Sequence, residues 1–468
     1  MQETAIAETS PTRFGISPEL IESIRAAIEA GDREKVAELV APLHEADIAD
    51  IIEQISPAER RALITLHPEI VEGEVLPELD EDLREEIIGY LPRKVLVETM
   101  RELETDDVID IVEDLEEEQK DEILEVLEDS DRVAVEQALE YPEGTAARLM
   151  QREMVTMPAH WTVGRAIDHL RAAEELPEEF YHVILVDPRH HPVGIVPLGR
   201  LLASKRDVKL ADITDDNFHP IPAEMPQEDV AYLYNQYHLI TTPVVDGAGR
   251  LIGVITIDDA MEVLDEEAAE DMLRLAGVGD ESISDTISDI VRDRFTWLFV
   301  NLVTAILASI VISWFSDTID AYVALAVLMP IVASMGGNAG TQSMTVAVRG
   351  IATKDITPSN AWRVIRREVM VGLLNGLAFA LVMGLVSWWW FDEPMLGVVI
   401  AIAMVLTLVA AAVGGIVIPL VLARFGIDPA VASGPFVTTV TDIVSFFTFL
   451  SIASALLLGG DAAGSPGG

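Results

Sequence analysis

The chain has 468 residues, half of them apolar, with 79 acidic and 31 basic side chains and a formal charge of -48. Such acidity repels phosphate backbones and excludes nucleic acid as a partner. It suits cations, although a solvated acidic surface in a salt-rich cytoplasm gives the same balance. There is no cysteine, hence no disulfide framework, and no nucleophile–base pair or phosphate loop marks an enzyme.

The charge is unevenly placed. From Phe295 onward there are 9 acidic and 6 basic residues, so the first 294 hold 70 and 25, a net of -45. The mean hydropathy of +0.32 is high for a soluble protein, and it arises in the second part. An acidic soluble part is fused to an apolar membrane part. The start, "MQETAIAETSPTRF", lacks a basic n-region and an apolar h-region, so it is no signal peptide and the soluble part is expected in the cytoplasm.

After a tail at 1–14, expected to be disordered, residues 15–145 read as an acidic helical N-domain. "ELIESIRAAIEA", "EADIADIIEQI", "LREEIIGYL" and "TDDVIDIVEDL" space apolar residues by three and four. Prolines 57, 77 and 92 punctuate them. "DIADIIEQI" (47–55) recurs loosely as "VEGEVLPEL" (71–79) and "DDVIDIVEDL" (106–115), which predicts stacked short helical pairs.

Residues 146–265 hold a duplication. "HVILVDPRHHPVGIVPLGRLL" (182–202) and "TTPVVDGAGRLIGVITIDDAMEVL" (241–264) share a strand ending in Asp, a turn and a strand beginning at Gly. The offset is 59 for both landmarks (187 to 246, 194 to 253). Strand, turn, strand and helix, twice over, resembles a pair of cystathionine-beta-synthase (CBS) domains. That resemblance implies one packed module and an adenine nucleotide, ATP, as ligand. The Thr/Ser-x-x-Asp signature falls on Thr256 and Asp259 in the second copy; the first copy has Pro197 and Arg200 there.

Residues 266–294 read as a connector of an acidic helix and a second polar helix leading into the membrane. Residues 295–459 form the membrane domain, with spans at 296–315, 321–349, 364–390, 396–423 and 431–458, each of bilayer length; residues 460–468 are a tail expected to be flexible. "SDTIDA" and "FDEPML" carry no Lys or Arg and are expected outside. Arg349, Lys354, Arg363, Arg366, Arg367 and Arg424 mark inside turns. The soluble part is then cytoplasmic and the C-terminus outside.

Two intramembrane features do not fit lipid contact. In "MPIVASMGGNAGTQSMTVAVRG" (329–350), Gly336 and Gly340 share a helix face that admits a close neighbour, and Asn338, Thr341, Gln342, Ser343 and Thr345 add polar groups. Helix-packing glue and the wall of a wetted pathway, where a broken helix is tolerated, both account for this stretch. The second is Asp442 in "GPFVTTVTDIVSFFTFL", with Thr438, Thr439 and Thr441 beside it. An ionisable residue at that depth marks a pathway or a partner; a buried, protonated structural Asp is the alternative. Thr438 lies one turn away, its carbonyl available on the same face. Carboxylate, hydroxyl and carbonyl suit hard cations such as Mg2+, Ca2+ or Mn2+.

An acidic helical N-domain, a CBS pair, a connector helix and five spans containing "PIVASMGGNAGTQS" and "DPAVASGPFVTTVTD" resemble the MgtE magnesium channels over essentially the whole chain. The resemblance implies a multidomain membrane protein of the cell membrane: an α-helical superhelical N-domain, an α/β CBS-domain pair and an all-α five-helix transmembrane domain per subunit. It implies a homodimer in the bilayer, with a pore on the two-fold axis where Asp442 binds hydrated Mg2+. Cytosolic Mg2+ would close the channel by bridging the N-domain, the CBS pair and the connector, called the plug helix. Carried over by position, the implied metal ligands are Glu74, Asp106 and Asp110; Asp259 and Glu262; Glu267, Glu270 and Asp271; and Asp428 near the cytoplasmic mouth. Thr438, Thr439, Asn338 and Gln342 are the pore-lining candidates. His238 departs from the family pattern, standing after Tyr237 where that pattern has an acid, and His is a poor Mg2+ ligand.

Two other functions compete: a secondary divalent-cation transporter, disfavoured by one membrane acid per subunit and no proton-relay chain, and a membrane-anchored sensor of Mg2+ or nucleotide that transports nothing.

Overall fold

The computed structural model describes residues 16–458 apart from 72, 114, 116, 126, 128, 174, 175, 178, 179 and 279–286. The tails expected at 1–14 and 460–468, and the middle of the connector, lie outside the described residues, save that 459 is likewise undescribed. The chain divides into two units, one holding residues 1–266 and 282–284, the other 267–281 and 285–468.

The first unit begins with short helices: α1 (Pro18–Ala30), α2 (Arg33–Val40), α3 (Glu45–Gln54), α4 (Pro57–Leu66), α5 (Glu81–Ile88), α6 (Arg93–Glu102), α7 (Thr105–Glu113), α8 (Glu117–Leu124) and α9 (Asp129–Leu139). Local chemistry starts several of them. Ser17 caps α1, and Ser56 with Glu59 forms a reciprocal capping box on α4. Their apolar stripes close one core around Ile51, Ile52, Leu63, Ile64, Leu76 and Ile87.

A repeat of buried arginines ties successive pairs together. Arg60 donates to the Ile55 carbonyl and pairs with Glu86. Arg84 donates to the Leu79 carbonyl and pairs with Asp110. Each member of the second set lies 24 residues after its counterpart (60 to 84, 55 to 79, 86 to 110). The guanidinium satisfies loop carbonyls that burial would otherwise orphan.

The duplication follows. In the first copy, β1 (Val155–Pro158) pairs parallel with β2 (His182–Val186), which pairs antiparallel with β3 (Pro192–Pro197). α10 (Val163–Ala172) lies between β1 and β2, and α11 (Leu198–Ala203) follows β3. In the second copy, β4 (Ile221–Pro222), β5 (Thr241–Val245) and β6 (Leu251–Thr256) repeat the order, with α12 (Gln227–Tyr237) after β4 and α13 (Ile257–Ala276) after β6. The registers match under the 59-residue shift: Leu185 faces Gly194 as Val244 faces Gly253, and both pairs of strands slip at the next residue. Gly253 is required by the linker ahead of β1, since an added Cβ would stand 2.8 Å from the Gln151 carbonyl oxygen. Gln151 there pairs with Val254 of the other copy.

The sequence starts the connector helix at 266, but α13 begins at Ile257 and runs without a break to Ala276. Among the described residues, α14 (Ile287–Ser313) carries the polar residues from 287 straight into the first span. After α15 (Ser316–Ala321) come α16 (Ala324–Ala352), α17 (Ala361–Phe391), α18 (Pro394–Arg424) and α19 (Pro429–Ala453), which closes in a π turn at Ser454–Leu458. Five of these helices are long and apolar enough to cross a membrane. α18 is central, packed against α16, α17 and α19. A broken helix at Pro330 does not occur: α16 continues through it, because proline removes one N–H bond and the remaining turns hold.

Candidate functional site

The first cluster of acids is built by two helix starts in the soluble unit. At α13, Thr256 is the cap residue, and its N–H and hydroxyl donate to Asp259 Oδ2 at 3.1 and 2.6 Å. Asp259 thereby serves the helix start before it serves any ligand. Burial, with Asp258 adding repulsion, pushes it up to about 6 against the pull of Thr256. At α7, Asp106 is 8% exposed and accepts from the Asp107 N–H at 3.0 Å. Burial, then Asp259, Asp107 and Glu104, holds Asp106 well above the usual carboxylate range. Burial, then Asp259, Glu104 and Glu74, pushes Asp107 up to about 8, and burial, then Glu153, Asp259 and Asp258, pushes Glu104 up to about 7. Glu262 rises to about 7 through desolvation and then Glu266, Asp110, Asp259 and Glu78, although its side chain reaches solvent. Glu74 contributes repulsion to Glu104, Asp107 and Glu78.

Glu74, Asp106, Asp110, Asp259 and Glu262, five acids chosen from the sequence, thus share one electrostatic neighbourhood. Asp110 differs in that Arg84 already neutralises it. Among the described residues, no three acidic or imidazole side chains stand where they could hold a metal ion directly. The arrangement suits a cation that keeps its water, or an approach of the carboxylates on binding, as Mg2+ favours. Sequence reasoning missed Glu104 and Asp107; the "ETDD" run ahead of α7 was the signal, since a helix N-terminus draws acids together.

Beside this cluster a cleft is lined by Glu104, Glu153, Asp258, Phe180, Tyr181 and His182. Glu153 accepts from the Thr105 hydroxyl and N–H at 2.7 and 3.3 Å, fixing the start of α7 to the linker. In the first copy Arg200 donates to the carbonyl of Thr214, so the position lacking the Thr/Asp pair is filled by its own chain. His238 adopts the left-handed conformation, with φ 53°, that ends α12.

In the membrane unit, α16 shows two faces. Gly336, Gly340, Ser343, Met344 and Ala347 are buried. A Cβ on Gly336 would lie 2.6 Å from Ser445 Oγ and 2.8 Å from Thr407 Cγ2; on Gly340, 2.9 Å from both Thr441 and Val437. The glycines therefore pack α16 against α18 and α19. Ser334, Asn338, Thr341, Gln342 and Thr345 are exposed on the other face. Packing and polarity, alternatives for the sequence, occupy opposite sides of one helix.

On α19, Val437, Thr441 and Ser445 face the packed seam, Thr438 is exposed, and Thr439 and Asp442 are partly buried. The Thr438 carbonyl expected to face a ligand instead accepts the Thr441 hydroxyl at 3.0 Å. The Thr438 and Thr439 hydroxyls bond back to the carbonyls of Gly434 and Pro435 at 3.0 and 2.6 Å. Asp442 has no hydrogen bond or ion pair among the described residues. Glu368 of α17, 9% exposed, accepts from the Ser343 hydroxyl at 3.1 Å. Glu368 falls inside the span expected at 364–390 and so stands as a further acid among the described residues of these helices; the basic run "RVIRREV", read as the edge of an inside turn, hid it.

Near the start of α19, Asp428 accepts the Ala430 N–H at 2.8 Å and an Arg274 N–H at 3.1 Å. Arg274 also pairs with Glu270, and burial with Asp428 raises Asp271. Three more sequence candidates thus gather on α13 and the α19 cap, with Glu267 one turn earlier on α13.

Comparisons with known proteins follow this division. A family described as a divalent cation transporter matches residues 329–452, an MgtE intracellular N domain matches 43–144, and a CBS domain matches 210–266. A magnesium transporter MgtE of Thermus thermophilus is 31% identical over 93% of this chain and 98% of its own length. That of Enterococcus faecalis is 36% identical over 68% of this chain and 70% of its own length. A crystal structure of the cytosolic domain of the Mg2+ channel MgtE in complex with ATP is 28% identical, covers 52% of this chain and 99% of its own, and superposes with a TM-score of 0.48.

Proposed function

The chain belongs to the MgtE family of magnesium transporters, and from that premise we propose that it is a Mg2+-selective channel closed by cytosolic Mg2+. Proteins of this family are transporters, not enzymes. The observation that carries the pore assignment is Asp442: a half-buried acid within a membrane helix, with no protein partner among the described residues. A bare carboxylate at that depth is costly unless water or a cation reaches it. The exposed Asn338 and Gln342 of α16, with Thr438 and Thr439 of α19, supply the polar wall for a hydrated ion. A second copy of the chain across a two-fold axis would enclose that wall and double the acid, with the soluble domains cytoplasmic and the C-terminus outside.

Closure is assigned to the acids around α7 and α13. Without a cation, Glu104, Asp106, Asp107, Asp259 and Glu262 repel one another and favour separation. Mg2+ bound among them, with Glu74 and Asp110 nearby, favours the compact state, and the ion shifts the balance only as far as it prefers that state. Glu267, Glu270, Asp271 and Asp428 are a second acidic group, in which Arg274 already offsets Glu270 and Asp428. A nucleotide at the CBS pair is assigned to the second copy through Thr256, where its phosphates would need Mg2+ beside Glu104, Glu153 and Asp258.

Uptake into proteoliposomes tests the pore assignment. Asp442→Asn should abolish Mg2+ flux while the protein inserts normally; unchanged flux would remove Asp442 from the pathway. Glu368 is the one observation favouring a coupled carrier, and discrete conductance steps would decide against that second reading.

A further inference from the structure

α13 places one basic side chain in a strongly acidic stretch of the protein. Arg274 is the only Lys or Arg between Arg250 and Arg292, in a segment (258–289) holding twelve Asp and Glu residues. Its guanidinium divides between Glu270, one turn back on the same helix, and Asp428 Oδ2 at 3.1 Å. Asp428 uses its other oxygen to accept the Ala430 N–H at 2.8 Å and so caps α19. The next residue, Leu275, packs against Met344 and Val348 of α16 and Ala430 and Val437 of α19. One turn of α13 therefore joins the membrane helices by a charge contact and an apolar contact side by side. The Arg274 and Asp428 side chains are 28% and 39% exposed, partly shielded from solvent.

This geometry departs from the ligand set that the resemblance implies. Glu270 and Asp428 are expected to hold a metal ion, yet both already face a fixed cation. Arginine suits that place, since its planar donors engage two carboxylates at once and it stays charged.

We propose that Arg274 is a positioning residue that clamps the last turns of α13 onto the cap of α19, so that this contact forms without a bound ion. The clamp lies inside the membrane unit and does not depend on how the protein transports. Its consequence, a connector that stays docked at low Mg2+, rests on the gating described above.

Because the chain has no cysteine, spin labels can be placed uniquely at Met272→Cys and Phe425→Cys, both on exposed side chains. Distance distributions are measured on the full-length protein in lipid nanodiscs with EDTA. With labelled chains diluted by unlabelled ones, the parent should give one narrow docked distance within a subunit. Arg274→Gln should lower the docked population about two- to five-fold, as loss of a partly exposed ion pair allows. Asp428→Asn, which keeps a capping side chain, should do the same if Arg274→Gln folds poorly. The swap Arg274→Glu with Asp428→Arg should recover the docked distance. Distributions unchanged in both single variants, or a swap that recovers nothing, would overturn the clamp. In uptake assays Arg274→Gln should raise the half-inhibiting cytosolic Mg2+ by a similar factor. An altered distance with unaltered inhibition supports the clamp and refutes its part in gating.

Discussion

Replacing Asp107 by Asn should stabilise the soluble unit when Mg2+ is absent, the reverse of what changing a partly buried polar group usually does. Asp107 is pushed up from 3.8 to about 8 by burial and by Asp259, Glu104 and Glu74. One unit is about 1.36 kcal/mol, so its charged form is disfavoured by roughly 6 kcal/mol in the compact unit before solvent screening. That repulsion is shared with Asp106, Glu104 and Asp259, and Asp107 keeps some contact with solvent. Removing one charge therefore relieves roughly 1–3 kcal/mol. A unit of this size gains roughly 2–4 °C per kcal/mol. The sign with pH follows from linkage. These acids have folded values above their unfolded ones, so the compact unit holds extra protons between about pH 4 and pH 8. Its stability falls as pH rises through that window and levels off above it. Calorimetric melting of the full-length protein in EDTA, at several pH values and with added Mg2+, reads both effects. Asp107→Asn should melt several degrees higher than the parent near about pH 8, with a shallower pH slope and a smaller gain from Mg2+. A lower melting point, or an unchanged slope, would refute the reasoning.

The other predictions concern packing and caps. Gly415→Ala sets a Cβ 2.5 Å from the Gly340 carbonyl oxygen and 2.8 Å from Ser343 Cβ; overpacking of about 1–3 kcal/mol should lower the melting point of the detergent-solubilised protein, and an unaltered melt would refute the α16–α18 approach. Thr256→Val removes the hydroxyl donation to Asp259 at the start of α13, so the soluble transition should lose about 1–2 kcal/mol in denaturant melts. Glu368→Ala leaves the Ser343 hydroxyl without its acceptor and should destabilise the membrane unit by about 1–3 kcal/mol; Glu368→Gln, which retains an acceptor, should lose less.

The duplication was legible because both copies obey the same local chemistry. Asp187 Oδ1 accepts the Arg189 and His191 N–H groups, as Asp246 Oδ1 accepts those of Ala248 and Arg250. A buried strand ending in such a turn leaves a fixed pattern. The five spans were legible because bilayer length demands long apolar runs. The exchange at the acids was less so. Arg84 and Arg274 read as ordinary charges in a sequence; only folding shows that Arg84 neutralises Asp110 and Arg274 neutralises Asp428. Thr256 and Asp259 were chosen for a ligand, and their own helix start uses them first. The α16 stretch resisted for a different reason: its packing and polar residues alternate along the chain, and helical periodicity alone sorts them onto opposite faces.

A Mg2+ pore closed by cytosolic Mg2+ is tested by single-channel recording of the purified protein in planar bilayers, with Mg2+ varied on the side of the soluble domains. Discrete Mg2+ currents should appear when that side is chelated, and should vanish as Mg2+ is restored there. Flux without conductance steps, or currents indifferent to Mg2+ on that side, would contradict it.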